Sequence, residues 1–184
     1  MRIDEAVGLL SRARRILVLG SPGSGKSTLS QRIAQRFGLK YISMDREFFW
    51  LPGWQLRPRD ETLDLVTKAI AGDRWLIDGT GLRTLDLRLT RADLVIWLRL
   101  PRSLCLWRIL QRWRRYTGRS RPEMADDCPE RFDLDFLRYT WTFDRLVTPE
   151  IAASLEAYRG TLNVLEYDTA TDVNALLAEL SDKV

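Results

Sequence analysis

The chain has 184 residues, 45% hydrophobic and 29% charged, which suits one globular domain and excludes a disordered or fibrous chain. Its net charge of +4 is uneven: between Arg99 and Arg121 lie eight arginines and no acid, so that window carries +8 and the remainder −4. Two cysteines, Cys105 and Cys128, and no histidine leave neither a disulfide framework nor a zinc site to expect.

The opening residues, MRIDEAVGLLSRARR, mix acids and arginines and lack the pattern of a signal peptide. No apolar run approaches the roughly 18 residues of a membrane span. A cytoplasmic protein without membrane association is the expectation. Residues 1–13 read as a short helix with Ile3, Ala6, Val7 and Leu10 on one stripe. Ile16 to Leu19 is a continuous apolar run ending in glycine, as in a parallel strand buried on both faces. A helix is predicted from Lys26 to about Phe37, stopped by Gly38, and a second strand over Tyr41 to Met44, ending at Asp45.

Residues 46–59 break every period. Asp60 then caps a helix through about Ala71. Arg74 to Ile77 reads as a third strand, ending at Asp78-Gly79, and Arg83 to Thr90 as helical. Leu94 to Leu98 is the fourth strand, stopped by Pro101. Ser103 to Tyr116 is a helix with Leu106, Ile109, Leu110 and Trp113 as its apolar stripe. A polar segment over 117–131 precedes two helical pieces separated by Pro149, a strand over Leu162 to Tyr167 and a terminal helix. Strands alternating with helices predict a three-layer α/β/α fold on a five-stranded parallel sheet.

Gly20-Ser21-Pro22-Gly23-Ser24-Gly25-Lys26-Ser27 satisfies G-x-x-x-x-G-K-[ST] between a predicted strand and a predicted helix. Small residues let successive backbone N–H groups turn inward around a phosphate, and the helix after them points its positive end at the same anion. Gly20, Ser21, Gly23, Ser24, Gly25, Lys26, Ser27 and Thr28 are therefore the expected ATP-binding residues. Lys26 supplies a mobile cation to the terminal phosphates, and the Ser27 hydroxyl can ligate Mg²⁺. There is no guanine-reading N/TKxD. The strand Trp75-Leu76-Ile77-Asp78 ends before glycine instead of a second acid, which favours transfer to a bound acceptor over hydrolysis.

SPGSGKST, the strand-ending Asp78-Gly79 and ADLVIWLRLPR at 92–102 resemble the nucleoside monophosphate kinase superfamily. More narrowly, MDREFFWLPGW at 44–54, LIDGTG at 76–81, PRSLCLWRILQRWRRYTGRSRPEMADDCPERFD at 101–133 and FLRYTWTFDR at 136–145 resemble the adenylate-kinase-related family labelled DNA topology modulation protein (FlaR-like). The resemblance covers roughly residues 14–145. It implies a P-loop kinase domain over 1–184, with its core over about 14–45, 74–116 and 132–184. An acceptor flap would lie at about 46–72 and an arginine-rich lid at about 117–131.

The same likeness implies that Asp78 holds Mg²⁺ with Ser27 or orients the acceptor, the alternative being a turn cap. Asp45 would meet the acceptor and take a proton from an attacking hydroxyl, or else cap the next segment. Trp50 and Trp54, beside Phe48 and Phe49, would wall the acceptor or simply pin a loop. Arg57 and Arg83 are the expected acceptor contacts, with Arg59 beside them. Arg108, Arg112 and Arg115 share a helix face that is either solvated or, with Arg119 and Arg121, closes over the γ-phosphate. Of these, Arg112, Arg119 and Arg121 are the expected catalytic set, with Lys26, Asp45 and Asp78; Arg131 and Arg138 are second-rank. The expected partner is a small phosphoryl acceptor. The rival is a regulator binding ATP and nucleic acid without turnover, for which no helix-turn-helix, zinc or RNA-binding signature is present.

Overall fold

Five apolar runs become five parallel strands because each is flanked by helices long enough to bury both of its faces. In the computed structural model, which describes residues 2–181, the strands are β1 (Arg15–Gly20), β2 (Lys40–Ser43), β5 (Trp75–Asp78), β6 (Leu94–Leu98) and β7 (Asn163–Tyr167), with the two-residue strands β3 (Trp50–Leu51) and β4 (Gln55–Leu56) between β2 and β5. Met1 and residues 182–184, part of the expected domain, lie outside the described residues. The sheet order is β2-β5-β1-β6-β7, all neighbours parallel. The register places Val18 beside Asp78 and Ser43 beside Asp78, so the carboxyl ends of β1, β2 and β5 meet at one edge. Parallel α/β sheets bind ligands along that edge.

Alternation along β1 sends Ile16 and Val18 to one face and Leu17 and Leu19 to the other. The first face is covered by α1 (Ile3–Arg12), α2 (Lys26–Phe37), α8 (Ala170–Ser181) and Cys105 of α5 (Arg102–Tyr116). The second is covered by α3 (Arg59–Ile70), α4 (Leu85–Leu89), α6 (Leu134–Leu146) and α7 (Thr148–Glu156). This is the expected three-layer α/β/α fold on a five-stranded parallel sheet. No helix among the described residues is long and apolar enough to cross a membrane.

Several local readings change. The aperiodic stretch after β2 is a π-helical turn, Asp45–Phe49, followed by the β3–β4 hairpin. Helix α3 starts at Arg59, with Pro58 at its cap and no side-chain cap from Asp60. Pro149 does not separate the two late helices: the break falls at Val147, and Pro149 sits in the first turn of α7, where its missing N–H costs nothing. On α5 the buried residues are Cys105 and Ile109, while Leu110 is 39% and Trp107 55% exposed. The predicted stripe is rotated because α5 packs on the glycine loop as well as the sheet: a Cβ on Gly23 would collide with the Cys105 carbonyl.

Candidate functional site

The loop between β1 and α2 is held open by backbone conformations that favour glycine. Gly23 has φ +76°, and Gly25, at +95°, is the N-cap of α2. The Lys26 ammonium folds back and donates to the Ser21 carbonyl at 2.8 Å. Desolvation lowers its pKa, against the opposing attraction of Asp78 and Asp45. The Ser24 Oγ is buried and has no hydrogen-bond partner among the described residues. A cation in this half-enclosed loop, with a ring of inward N–H groups, is chemistry suited to an anion.

At the neighbouring strand end Asp78 is 4% exposed and accepts from the Tyr41 hydroxyl at 3.1 Å. Burial raises the Asp78 pKa, opposed by a hydrogen bond from Ser27, by Lys26 and by Tyr41. Ser27 and Asp78 thus meet across the α2–β5 junction, and a hydroxyl beside a carboxylate is the hard-oxygen donor pair that Mg²⁺ accepts. Thr80 ties the two loops together: its hydroxyl donates to the Gly20 carbonyl at 3.0 Å and accepts the Gly20 N–H at 3.2 Å. Arg88, fully buried on α4, fixes the turn that follows Asp78. It donates to the carbonyls of Gly79 at 2.9 Å, Gly81 at 3.0 Å and Thr84 at 3.3 Å, and to that of Thr80. Burial pulls its pKa below that of an exposed arginine.

Asp45, two residues beyond β2, opens the π-helical turn. It keeps solvent access, yet the crowding around its carboxylate raises its pKa through desolvation, opposed by Lys26, Arg121 and Arg112. No hydrogen bond or ion pair engages that carboxylate among the described residues. Tyr139 of α6 faces the same charge: burial and then Asp45 raise its pKa.

The arginines divide. Arg108 donates to the Ser24 carbonyl at 3.1 Å, so the helix face expected to be solvated partly roofs the glycine loop. Arg112 and Arg121 converge on Glu130, 7% exposed, at 2.9 Å to Oε1 and 2.6 Å to Oε2. Desolvation and then the Arg121 charge lower the pKa of Arg112, and Glu130 opposes them. Arg115 and Arg119 are exposed. Arg131 stacks over Trp54, and Arg138 is exposed.

The remaining expected contacts lie elsewhere. Trp50 and Trp54 meet edge to face at 5.2 Å and pack on Met124, Ala125 and Cys128, so the loop-pinning alternative describes their observed contacts. Arg57 pairs with Glu61 at 3.4 Å. Arg83 is exposed on the short turn Leu82–Thr84 and makes no ion pair among the described residues. The structure therefore gathers Lys26, Ser27, Asp78, Asp45, Arg112 and Arg121, and leaves Arg119, Arg83 and the two tryptophans outside that group.

Tyr41, Thr80, Arg88, Glu130 and Tyr139 were not singled out in the sequence. Only Glu130 had a usable signal: buried arginines need a carboxylate, and the acids that follow the acid-free arginine window are Glu123, Asp126, Asp127 and Glu130.

A stretch of 81 residues is 38% identical to an adenylate kinase of Pyrococcus furiosus, covering 44% of this chain and 26% of that protein. Another, of 33 residues, is 58% identical to adenylate kinase isoenzyme 5 of Homo sapiens, covering 18% of this chain and 6% of that protein. The matches thus span about a quarter or less of these relatives' length. A gluconokinase from Sinorhizobium meliloti 1021 aligns at a TM-score of 0.49 and 20% identity, over 91% of this chain and 93% of that one. The family model described as an AAA domain matches residues 16–127, from β1 through the glycine loop, Asp45, Asp78, Arg112 and Arg121. That is more than half of the sequence, and the chain belongs to this AAA domain family.

Proposed function

We propose that the protein is an ATP-dependent phosphotransferase that passes the γ-phosphoryl group to a small-molecule acceptor. The observation that carries this reading is the gathering of Lys26, Ser27 and Asp78 at one sheet edge, with Arg112 and Arg121 held toward the same charges by Glu130. The adenylate kinase likeness supports it. Within the AAA domain family, the 44–54 and 101–133 sequences favour the narrower likeness to FlaR-like proteins.

In this reading residues 46–72 are the acceptor flap, 117–131 the lid, and the rest of 1–184 the core of one domain. The glycine-loop N–H groups from Gly20 to Thr28 and the Lys26 ammonium bind the phosphates of ATP. Ser27 and Asp78 hold Mg²⁺, whose charge neutralises the polyphosphate when bound. Arg112 and Arg121 stabilise charge on the transferring group, and the lid excludes water. Arg119, Arg57 and Arg83 meet this reaction only if the lid and flap move from their present positions. The two free thiols, Cys105 and Cys128, suit a reducing cytoplasm.

The test is ADP release from Mg·ATP across nucleosides, nucleoside monophosphates and small hydroxy compounds, with Lys26→Ala as control. Stimulation by one acceptor, lost in the control, is expected. Tight ATP binding without stimulation by any acceptor would overturn the transferase reading in favour of a nucleotide-responsive regulator.

A further inference from the structure

We infer that the oxygen receiving the phosphoryl group is a hydroxyl and not a phosphate oxygen, with the Asp45 carboxylate as its base. This rests on the transferase reading above. The sheet topology puts β2 next to β5 and β5 next to β1, so Asp45, Asp78 and the glycine loop lie along the same carboxyl edge. Lys26, Arg112 and Arg121 act on the Asp45 charge, as does Tyr139 from α6. Asp45 is thus beside the groups that would bear the γ-phosphate, and its oxygens are free of hydrogen bonds and ion pairs.

The cations near this segment are already engaged, which decides between the two kinds of acceptor oxygen. Arg46 is held by Glu47 at 2.9 Å and by the Pro122 carbonyl at 3.0 Å. Arg57 is paired with Glu61. Arg88 is fully buried and spent on four carbonyls, so it cannot meet a ligand. Arg83 alone of these keeps an unengaged guanidinium, and it is exposed on its turn. A dianionic phosphate placed against Asp45 would face a like charge with no dedicated cation to offset it. A hydroxyl instead donates its proton to that carboxylate, which is the contact Asp45 lacks. A phosphate oxygen is already ionised near neutral pH and needs no base, so a free carboxylate would serve nothing there.

The step balances simply. The hydroxyl oxygen bonds to the γ-phosphorus as the bond from that phosphorus to the bridging oxygen breaks. ADP leaves with the electron pair, and the hydroxyl proton passes to Asp45 and then to solvent. The product is a phosphate monoester, not an anhydride.

The experiment incubates the full chain with Mg·ATP and two separate pools. One holds nucleosides, polyols and hydroxy acids, the other nucleoside monophosphates. ³¹P NMR separates monoester from anhydride products. Monoester formed from the first pool is expected, with turnover falling roughly 10²- to 10⁴-fold in Asp45→Asn while ATP binding by calorimetry persists. Anhydride from the second pool, lost in Arg83→Ala but retained in Asp45→Asn, would overturn the hydroxyl assignment and leave the transferase reading intact. No product from either pool, with ATP bound, overturns both. The product identity needs only the wild-type protein, so a variant that fails to fold does not block the test.

Discussion

The indole N–H of Trp54 donates to the backbone carbonyl of Pro129 across 3.1 Å, joining the β3–β4 hairpin to the 117–131 segment. Around it the Gly53 N–H reaches the Asp127 carbonyl at 3.1 Å, and the Trp54 N–H reaches the Cys128 sulfur at 3.3 Å. Trp54 itself sits at φ +60°, a left-handed conformation that a bulky residue adopts only when its surroundings enforce it. Ser43 and Arg46 add bonds to the carbonyls of Glu123 and Pro122. The proposed flap and lid are therefore fastened to each other and should open together. Trp54→Phe removes one hydrogen bond worth about 0.5–1.5 kcal/mol, so amide exchange in both segments should rise roughly 2- to 10-fold in parallel. Faster exchange confined to one segment would show that they move independently.

Glu130 is the sole carboxylate bridging Arg112 and Arg121 among the described residues. Glu130→Ala leaves two close guanidiniums without their shared counter-charge. Breaking such a pair costs about 3–5 kcal/mol when fully buried, and the lower end applies because both arginines keep some contact with water. Urea unfolding should show that loss, with Glu130→Gln intermediate because it keeps acceptor capacity. An unchanged midpoint in Glu130→Ala would mean that the bridge adds no stability.

Ser27 and Asp78 should separate metal-dependent from metal-independent nucleotide binding. Ser27→Ala and Asp78→Asn are expected to weaken ATP binding in Mg²⁺ while leaving binding in EDTA near the wild-type level. Lys26→Ala should weaken both. Calorimetry under the two conditions decides the matter; equal losses with and without Mg²⁺ would remove Ser27 and Asp78 from the metal site.

Asp93 supplies a pH-dependent clamp between β1 and β6. Burial alone would raise its pKa, but the Arg15 guanidinium and the N–H groups of Arg14 and Arg15 more than offset this and hold it below the usual carboxylate range. Its unfolded pKa is about 3.9, so between that value and the lower folded one the unfolded chain binds the extra proton. The stabilisation is complete above the unfolded pKa and disappears as pH falls through the folded pKa. Asp93→Asn should lower stability near neutrality and flatten its decline in acid. An acid limb as steep as that of the wild type would assign the pH dependence to other carboxylates.

The Arg88 guanidinium holds the Gly79–Thr84 turn with planar donors that an ammonium cannot reproduce. Arg88→Lys should cost about 1–3 kcal/mol in thermal or urea unfolding, since at least one buried carbonyl loses its donor. A stability equal to wild type would show that water replaces those contacts freely.

Features that are contiguous in the chain were legible in it. The glycine loop from Gly20 to Ser27 encodes its own geometry, because small residues, the lysine and the helix start lie within one turn of backbone. The five strands were readable for a similar reason: burial on both faces demands an unbroken apolar run. Asp78 could be placed beside β1 because parallel strands end along one edge.

What the sequence left open depends on distance. Glu130 and Arg112 are 18 residues apart, and no period connects a lid carboxylate to a helix arginine. Whether Trp54 would face an acceptor or the 124–128 segment was decided by how the hairpin docks, which its aromatic composition does not specify. Arg88 read as an ordinary charge on a short helix, and only the turn folding over α4 made it a buried clamp. The sequence by itself determined the sheet and the phosphate loop, since backbone burial and local turn geometry are short-range constraints. The tertiary structure decided which charges are paired and which, like Asp45, remain free to act, because pairing is settled only when distant segments compete for the same partners.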